Sequence, residues 1–167
     1  MVGLAADGIT EKLTPLLSQE KLADYRADGS GHHTHVADLQ NVSPEPLVLI
    51  VEDDLGTRTL YREVLSEAGF RTLEAHNGFQ ALEKARSSSP NIVLTDLAVP
   101  GLDGFELGKA LRQAAETRSI PILAVTGHPV YLDEPDRLRE AGISHVLVKP
   151  CAPHLITEHL RRLLGGH

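Results

Sequence analysis

Tryptophan is absent from this chain of 167 residues, and tyrosine and phenylalanine contribute only three each. A core built from it must be mainly aliphatic, and the aromatic platforms that stack single-stranded nucleic acid are lacking. The single cysteine, Cys151, excludes an internal disulfide framework and fits a reducing compartment, here expected to be the cytoplasm. No run approaches the ~18 apolar residues of a membrane span, so no membrane association is expected. The first residues lack a basic stretch followed by a long apolar run, so no signal peptide is expected either. Positive charge is the minority sign: 16 Lys and Arg face 23 Asp and Glu, a net charge of −7. A nucleic-acid surface needs clustered Lys and Arg, so no direct nucleic-acid partner is expected.

What remains fits a globular chain: 41% hydrophobic and 23% charged residues. At ~100–200 residues per domain, the length predicts one domain with an appendage. The chain divides near Pro46. Residues 1–45 carry seven acidic residues against three basic ones, and so hold four of the net negative charges. Thr14 and Pro15 can open a helix there, and Gly29 can stop it. GSGHHTH reads as a flexible linker. His32, His33 and His35 have no Cys or carboxylate neighbour to complete a metal site, so they read as solvated histidines. This extension is a candidate for packing on the domain, forming a homodimer or tethering a partner. Residues 46–167 form the expected domain.

From Leu47 the pattern is regular. LVLIV (47–51), NIVLTD (91–96), IPILAVT (120–126) and HVLVK (145–149) are apolar runs expected as buried strands, and RTLEA (71–75) alternates like a short one. Between them lie helical stretches. Asp54 can cap one from about Leu55 to Ala68, with Leu60, Val64, Leu65 and Ala68 inward. A second runs from about Phe79 to Arg86. DGFE (103–106) is a capping box opening a third, to about Ala115. Tyr131–Ala141 has helical spacing with Pro135 in its first turn or breaking it, and Pro153–Leu164 is the last helix. Alternating strands and helices predict an α/β fold: a parallel sheet with helices on both faces.

Ligands of such sheets lie beyond the carboxyl ends of the strands. Those ends carry Glu52, Asp53 and Asp54, then Asp96, Thr126 and Lys149. Crowded carboxylates repel one another and call for a cation, and all-oxygen ligation suits Mg²⁺. A lysine and a threonine beside them make sense if a phosphoryl group arrives, needing a point charge and a hydroxyl donor. Any one of these residues alone reads as a helix cap or a surface acid; the set of strand ends together does not.

VEDD (51–54), TDLAVPGLDG (95–104), AVTG (124–127) and VKP (148–150) resemble the marker motifs of the response regulator receiver domain of two-component signalling. The likeness covers about residues 46–165. It implies a flavodoxin-like sheet of five parallel strands in order 2-1-3-4-5, and a phosphorylation-dependent switch rather than an enzyme. Asp96 would accept a phosphoryl group from a phosphohistidine on a sensor histidine kinase or histidine phosphotransfer protein. Glu52 and Asp53 would form the acidic pocket for Mg²⁺, with Asp53 the closer ligand. Asp96 and the backbone carbonyl of Ala98 would complete the protein ligands. Thr126 would hydrogen-bond the phosphoryl oxygens and Lys149 would pair with them. A cis peptide is expected before Pro150. Asp54 reads as the helix cap.

Some positions depart from the family pattern. Val146 stands where many members carry an aromatic residue, and Cys151 stands where Phe is frequent. Tyr131 is a candidate to fill part of that space, and Cys151 reads as a small buried filler. The resemblance also implies that Ala98 and His128, each two residues beyond a key group, influence how fast water removes the phosphoryl group. No output domain follows the last helix in this sequence, so output is expected through an unknown downstream protein, or the sequence is a piece of a larger protein. A receiver-like binding module that is never phosphorylated is the alternative, against which the intact Asp53, Asp96, Thr126 and Lys149 stand. A Mg²⁺-dependent aspartyl-phosphate phosphohydrolase is a further one. It would need a second acid–base carboxylate near the nucleophile and a cap over the site, and neither is evident after Asp96.

Overall fold

The computed structural model describes residues 44–165. The helix, linker and histidine readings placed on the N-terminal extension lie outside the described residues.

Five strands alternate with helices: β1 (Leu47–Val51), α1 (Leu55–Glu67), β2 (Arg71–Ala75), α2 (Gly78–Ser88), β3 (Ile92–Thr95), α3 (Gly104–Gln113), β4 (Ile122–Thr126), α4 (Pro135–Glu140), β5 (His145–Val148) and α5 (Pro153–Leu163). A 3-10 helix, Pro129–Asp133, precedes α4. The sheet is wholly parallel, in order β2-β1-β3-β4-β5. This is the expected flavodoxin-like fold.

β1, β3 and β4 are apolar because both sheet faces are covered. On one face Val48, Ile50, Leu94, Leu123 and Val125 pack with Tyr61 and Leu65 of α1 and Ile156 and Leu160 of α5. On the other, Leu49, Val51, Val93 and Ile122 pack with Ala81 and Ala85 of α2 and Leu107 and Leu111 of α3. Burying a Leu or Ile side chain stabilises the fold by about 1.5–3 kcal/mol. Caps set the helix starts. Asp54 accepts the Thr57 amide at 2.7 Å, Asn77 accepts the Gln80 amide at 2.8 Å, and Asp103 with Glu106 completes the expected capping box.

Four expectations need correction. Leu60 is 48% exposed, and Tyr61 is the buried residue instead. At 100° per residue, Leu60 lies roughly 90° from the centre of the stripe formed by Tyr61, Val64, Leu65 and Ala68. The helix expected over Tyr131–Ala141 is divided. Glu134 takes φ −113° and ψ 57°, outside the helical region, because the ring of Pro135 crowds it. α4 therefore starts afresh at Pro135. β5 is not buried: His145 is exposed and the rest is half-buried, since β5 is a sheet edge paired only with β4. α3 ends at Gln113 rather than near Ala115, because Ala114 is already extended.

Candidate functional site

The parallel ladder does more than form the core. It runs one residue past each strand and fixes the backbone of the residues that follow. The Glu52 amide donates to the Ala75 carbonyl, the Asp96 amide to the Val51 carbonyl, and the Lys149 amide to the Thr126 carbonyl, at 3.1, 2.9 and 2.8 Å. Glu52, Asp96, Thr126 and Lys149 thus stand along one edge of the sheet.

Their side chains meet there. Lys149 Nζ donates to Asp96 Oδ2 and to Glu52 Oε2, each at 2.7 Å. Asp96 Oδ1 accepts the Ala98 amide at 2.9 Å. Glu52 is buried, 3% exposed, and its Oε1 accepts the Asp54 amide at 3.2 Å. A buried carboxylate is tolerated only when paired and hydrogen-bonded, and here it is both. Burial pushes the Lys149 ammonium pKa down, but the hydrogen bonds it donates to Asp96 and Glu52 outweigh it and hold the group above its ordinary range. Lys149 is therefore a permanent cation at neutral pH. The peptide between Lys149 and Pro150 is cis.

The other expected residues are placed as follows. Asp53 is exposed on the rim and makes no ion pair among the described residues. Ala98 is exposed beside Asp96. Thr126 is wholly buried, and its Oγ1 accepts the His128 amide at 3.1 Å. Asp54 is held as the α1 cap by the Thr57 amide and hydroxyl, which lower its pKa. Among the described residues no three acidic, histidine or cysteine side chains form a ready metal cage. Lys149, rather than a third acid, stands between Glu52 and Asp96. Cys151 is half-buried against the core that includes Tyr61, and burial raises its thiol pKa. Tyr131 and Val146 both pack against the small cluster of Leu97, Phe105, Ala124 and Ala141.

Sequence reasoning missed two supports of this edge. Arg58, one turn into α1, donates through Nη1 to the carbonyls of Glu52 and Asp53 at 2.7 and 3.3 Å, and through Nε to Glu74 at 3.2 Å. An arginine four residues after the capping aspartate was the available signal. Gly104 is the other. A Cβ there would lie 2.8 Å from Leu97 Cα and 2.9 Å from the Asp96 carbonyl oxygen. Only glycine lets α3 start this close to the loop that carries Asp96.

A family model described as the response regulator receiver domain matches residues 48–161. The chain belongs to that family. Receiver domains are the switches of two-component signalling and work between histidine kinases and downstream proteins. Among curated relatives of this receiver, the polar-differentiation response regulator DivK of Brucella anthropi is 34% identical over 118 residues, 71% of this chain and 95% of that protein. Among solved structures, a sensor protein from Polaromonas sp. JS666 is 30% identical with a TM-score of 0.68, covering 73% of this chain and 98% of that one. The receiver domain of the sensor histidine kinase PA1611 from Pseudomonas aeruginosa is 28% identical with a TM-score of 0.67, covering 73% and 99%. That structure has a magnesium ion coordinated in its active-site cleft. No helix among the described residues is long and apolar enough to cross a membrane.

Proposed function

We propose that this receiver accepts a phosphoryl group on Asp96 from a phosphohistidine of a histidine kinase or histidine phosphotransfer protein, with Mg²⁺ as cofactor. One carboxylate oxygen of Asp96 bonds to phosphorus as the bond from phosphorus to the histidine nitrogen breaks. The observation that carries this reading is Lys149 Nζ 2.7 Å from Asp96, on a sheet edge that also holds the buried Thr126.

A carboxylate and a phosphoryl group repel because both are negative. Lys149 offsets that repulsion and stabilises charge on the transferring oxygens. The Thr126 hydroxyl is the donor for one of those oxygens. The donor set suits Mg²⁺, which takes one or two carboxylates and keeps several waters. Asp53, exposed and outside any ion pair among the described residues, and Asp96 would hold it, with Glu52 behind them and the Ala98 carbonyl beside them. Bound there, Mg²⁺ would neutralise charge on the phosphoryl oxygens. The role of Glu52 and Arg58 is to hold the Asp53 backbone in place.

The test is incubation of the full chain with acetyl phosphate and Mg²⁺, followed by intact mass. We expect a labile gain of one phosphoryl group that is lost in Asp96→Ala and on removing Mg²⁺. An unmodified mass under these conditions would favour a binding module that is not phosphorylated. Turnover of assorted phosphate esters would favour a phosphohydrolase.

A further inference from the structure

A row of rings runs from the Asp96 edge to α4. It starts at Thr126, whose hydroxyl oxygen holds the His128 amide at 3.1 Å. The His128 ring meets the Tyr131 ring 5.7 Å away at an interplanar angle of 61°. Tyr131 meets Phe105 of α3 edge to face, 5.2 Å away at 81°. The Arg137 guanidinium of α4 lies 3.9 Å from the Phe105 ring centre and 5.9 Å from that of Tyr131. Glu134 at 3.0 Å and Asp103 at 3.6 Å fix Arg137 in turn.

Leu138 of α4 also packs against the cluster that holds Ala124 of β4, but the loop between the two elements is weakly held. Neither the 3-10 helix nor α4 has a side-chain cap, and each begins with proline. Within the 3-10 helix Val130 and Leu132 are 58% and 48% exposed, and Tyr131 is the one residue that is not exposed. The Tyr131 amide donates to the His128 carbonyl, and the Glu134 amide to the Tyr131 carbonyl, at 3.2 and 3.3 Å. The hydrogen bonds of this loop and its row of rings therefore both pass through Tyr131.

We propose that Tyr131 is a positioning residue that couples Thr126 to α4. This rests on the reading of Asp96 as phosphoacceptor. The Thr126 hydroxyl has one proton to donate. When a phosphoryl oxygen on Asp96 draws it, the angle at which its lone pair holds the His128 amide changes. Edge-to-face contacts are directional because a positive ring edge meets a negative face. A shift of the His128 ring therefore turns Tyr131, and Tyr131 turns against Phe105 and Arg137. Packed rings have discrete arrangements rather than a continuum, so the response is a change of state. Arg137 then moves relative to Asp103, and α4 moves with it.

The competing account is that Tyr131 only fills space beside Val146. Amide shifts of the full chain, with and without Mg²⁺ and beryllofluoride, separate the two in wild type, Tyr131→Phe and Tyr131→Leu. Leucine keeps apolar volume without a ring, and phenylalanine keeps the ring. In wild type and Tyr131→Phe we expect changes at Asp53, Asp96 and Thr126 that extend through residues 130–140. In Tyr131→Leu the changes at Asp96 and Thr126 should persist. Those in α4 should fall to about a fifth or less, as when a coupling of ordinary allosteric size is removed. Tyr131→Leu changes of wild-type size in α4 would overturn the coupling alone. A wild type silent at Asp96 and Thr126 would overturn both the coupling and the phosphoacceptor reading.

Discussion

Lys149 serves two carboxylates with different needs. Glu52 is buried and needs its charge paired, whereas Asp96, on the proposed function, needs a cation to react. The two roles separate by substitution. Lys149→Met should slow phosphorylation by acetyl phosphate about 10²–10³-fold, the usual loss when one preorganised charge donor is removed. It should also lower stability, because the Glu52 carboxylate stays buried without its partner. Adding Glu52→Gln should recover much of the stability, read as the urea midpoint, and leave the rate low. A double variant that regained its rate would show that Lys149 acts only by supporting Glu52. The ionic state of Lys149 does not change in the physiological range. Its folded pKa is raised, so its contribution to stability is complete below its ordinary 10.5 and is lost only as pH rises beyond that value.

β5 and α5 meet through a pair of histidines. The rings of His145 and His159 stack 4.5 Å apart at 19°, and His159 Nδ1 lies 2.8 Å from the Leu155 carbonyl. Partial desolvation beside α5, then His159, then Arg162 lower the His145 pKa below its ordinary 6.5. An unfolded chain thus takes up that proton more readily than the folded one, so stability is complete above about 6.5 and falls as pH drops below it. We expect the urea midpoint to decrease from pH 7.5 to 5.5, and His145→Gln to reduce that decrease. An equal decrease in the variant would place the titration elsewhere. This edge also shows where sequence was mute. Apolar runs revealed the five strands, and the caps at Asp54 and Asp103 revealed the starts of α1 and α3, because burial and capping act on neighbouring residues. HVLVK, however, reads like a central strand, since edge position depends on strand order rather than on local pattern. Leu60 misled similarly, as helical spacing alone does not say which of two adjacent residues centres the stripe. The residues of the Asp96 edge were legible because they follow apolar runs. Arg58 was not, because its partners are backbone carbonyls, which carry no side-chain signature.

At the scale of the whole molecule, ligation at the Asp96 edge bears on stability by mass action. A ligand at about a hundred times its Kd adds about 2.7 kcal/mol. For a domain of this size that corresponds to a rise in Tm of roughly 10 °C. Beryllofluoride with Mg²⁺ should therefore raise the Tm of the full chain, measured by circular dichroism, and should leave Asp96→Ala unchanged. An equal rise in the variant would mean that the ligand binds elsewhere. The net charge of −7 plays little part in this, because the acids that matter are few and stand together. The Lys149–Glu52 contact spans 97 positions of the chain and joins the end of the first strand to the end of the last. A polypeptide still emerging from the ribosome has its aspartate long before it has its lysine. Until β5 docks, Glu52 and Asp96 lack their shared cation, so the Asp96 edge is complete only when the final strand is in place.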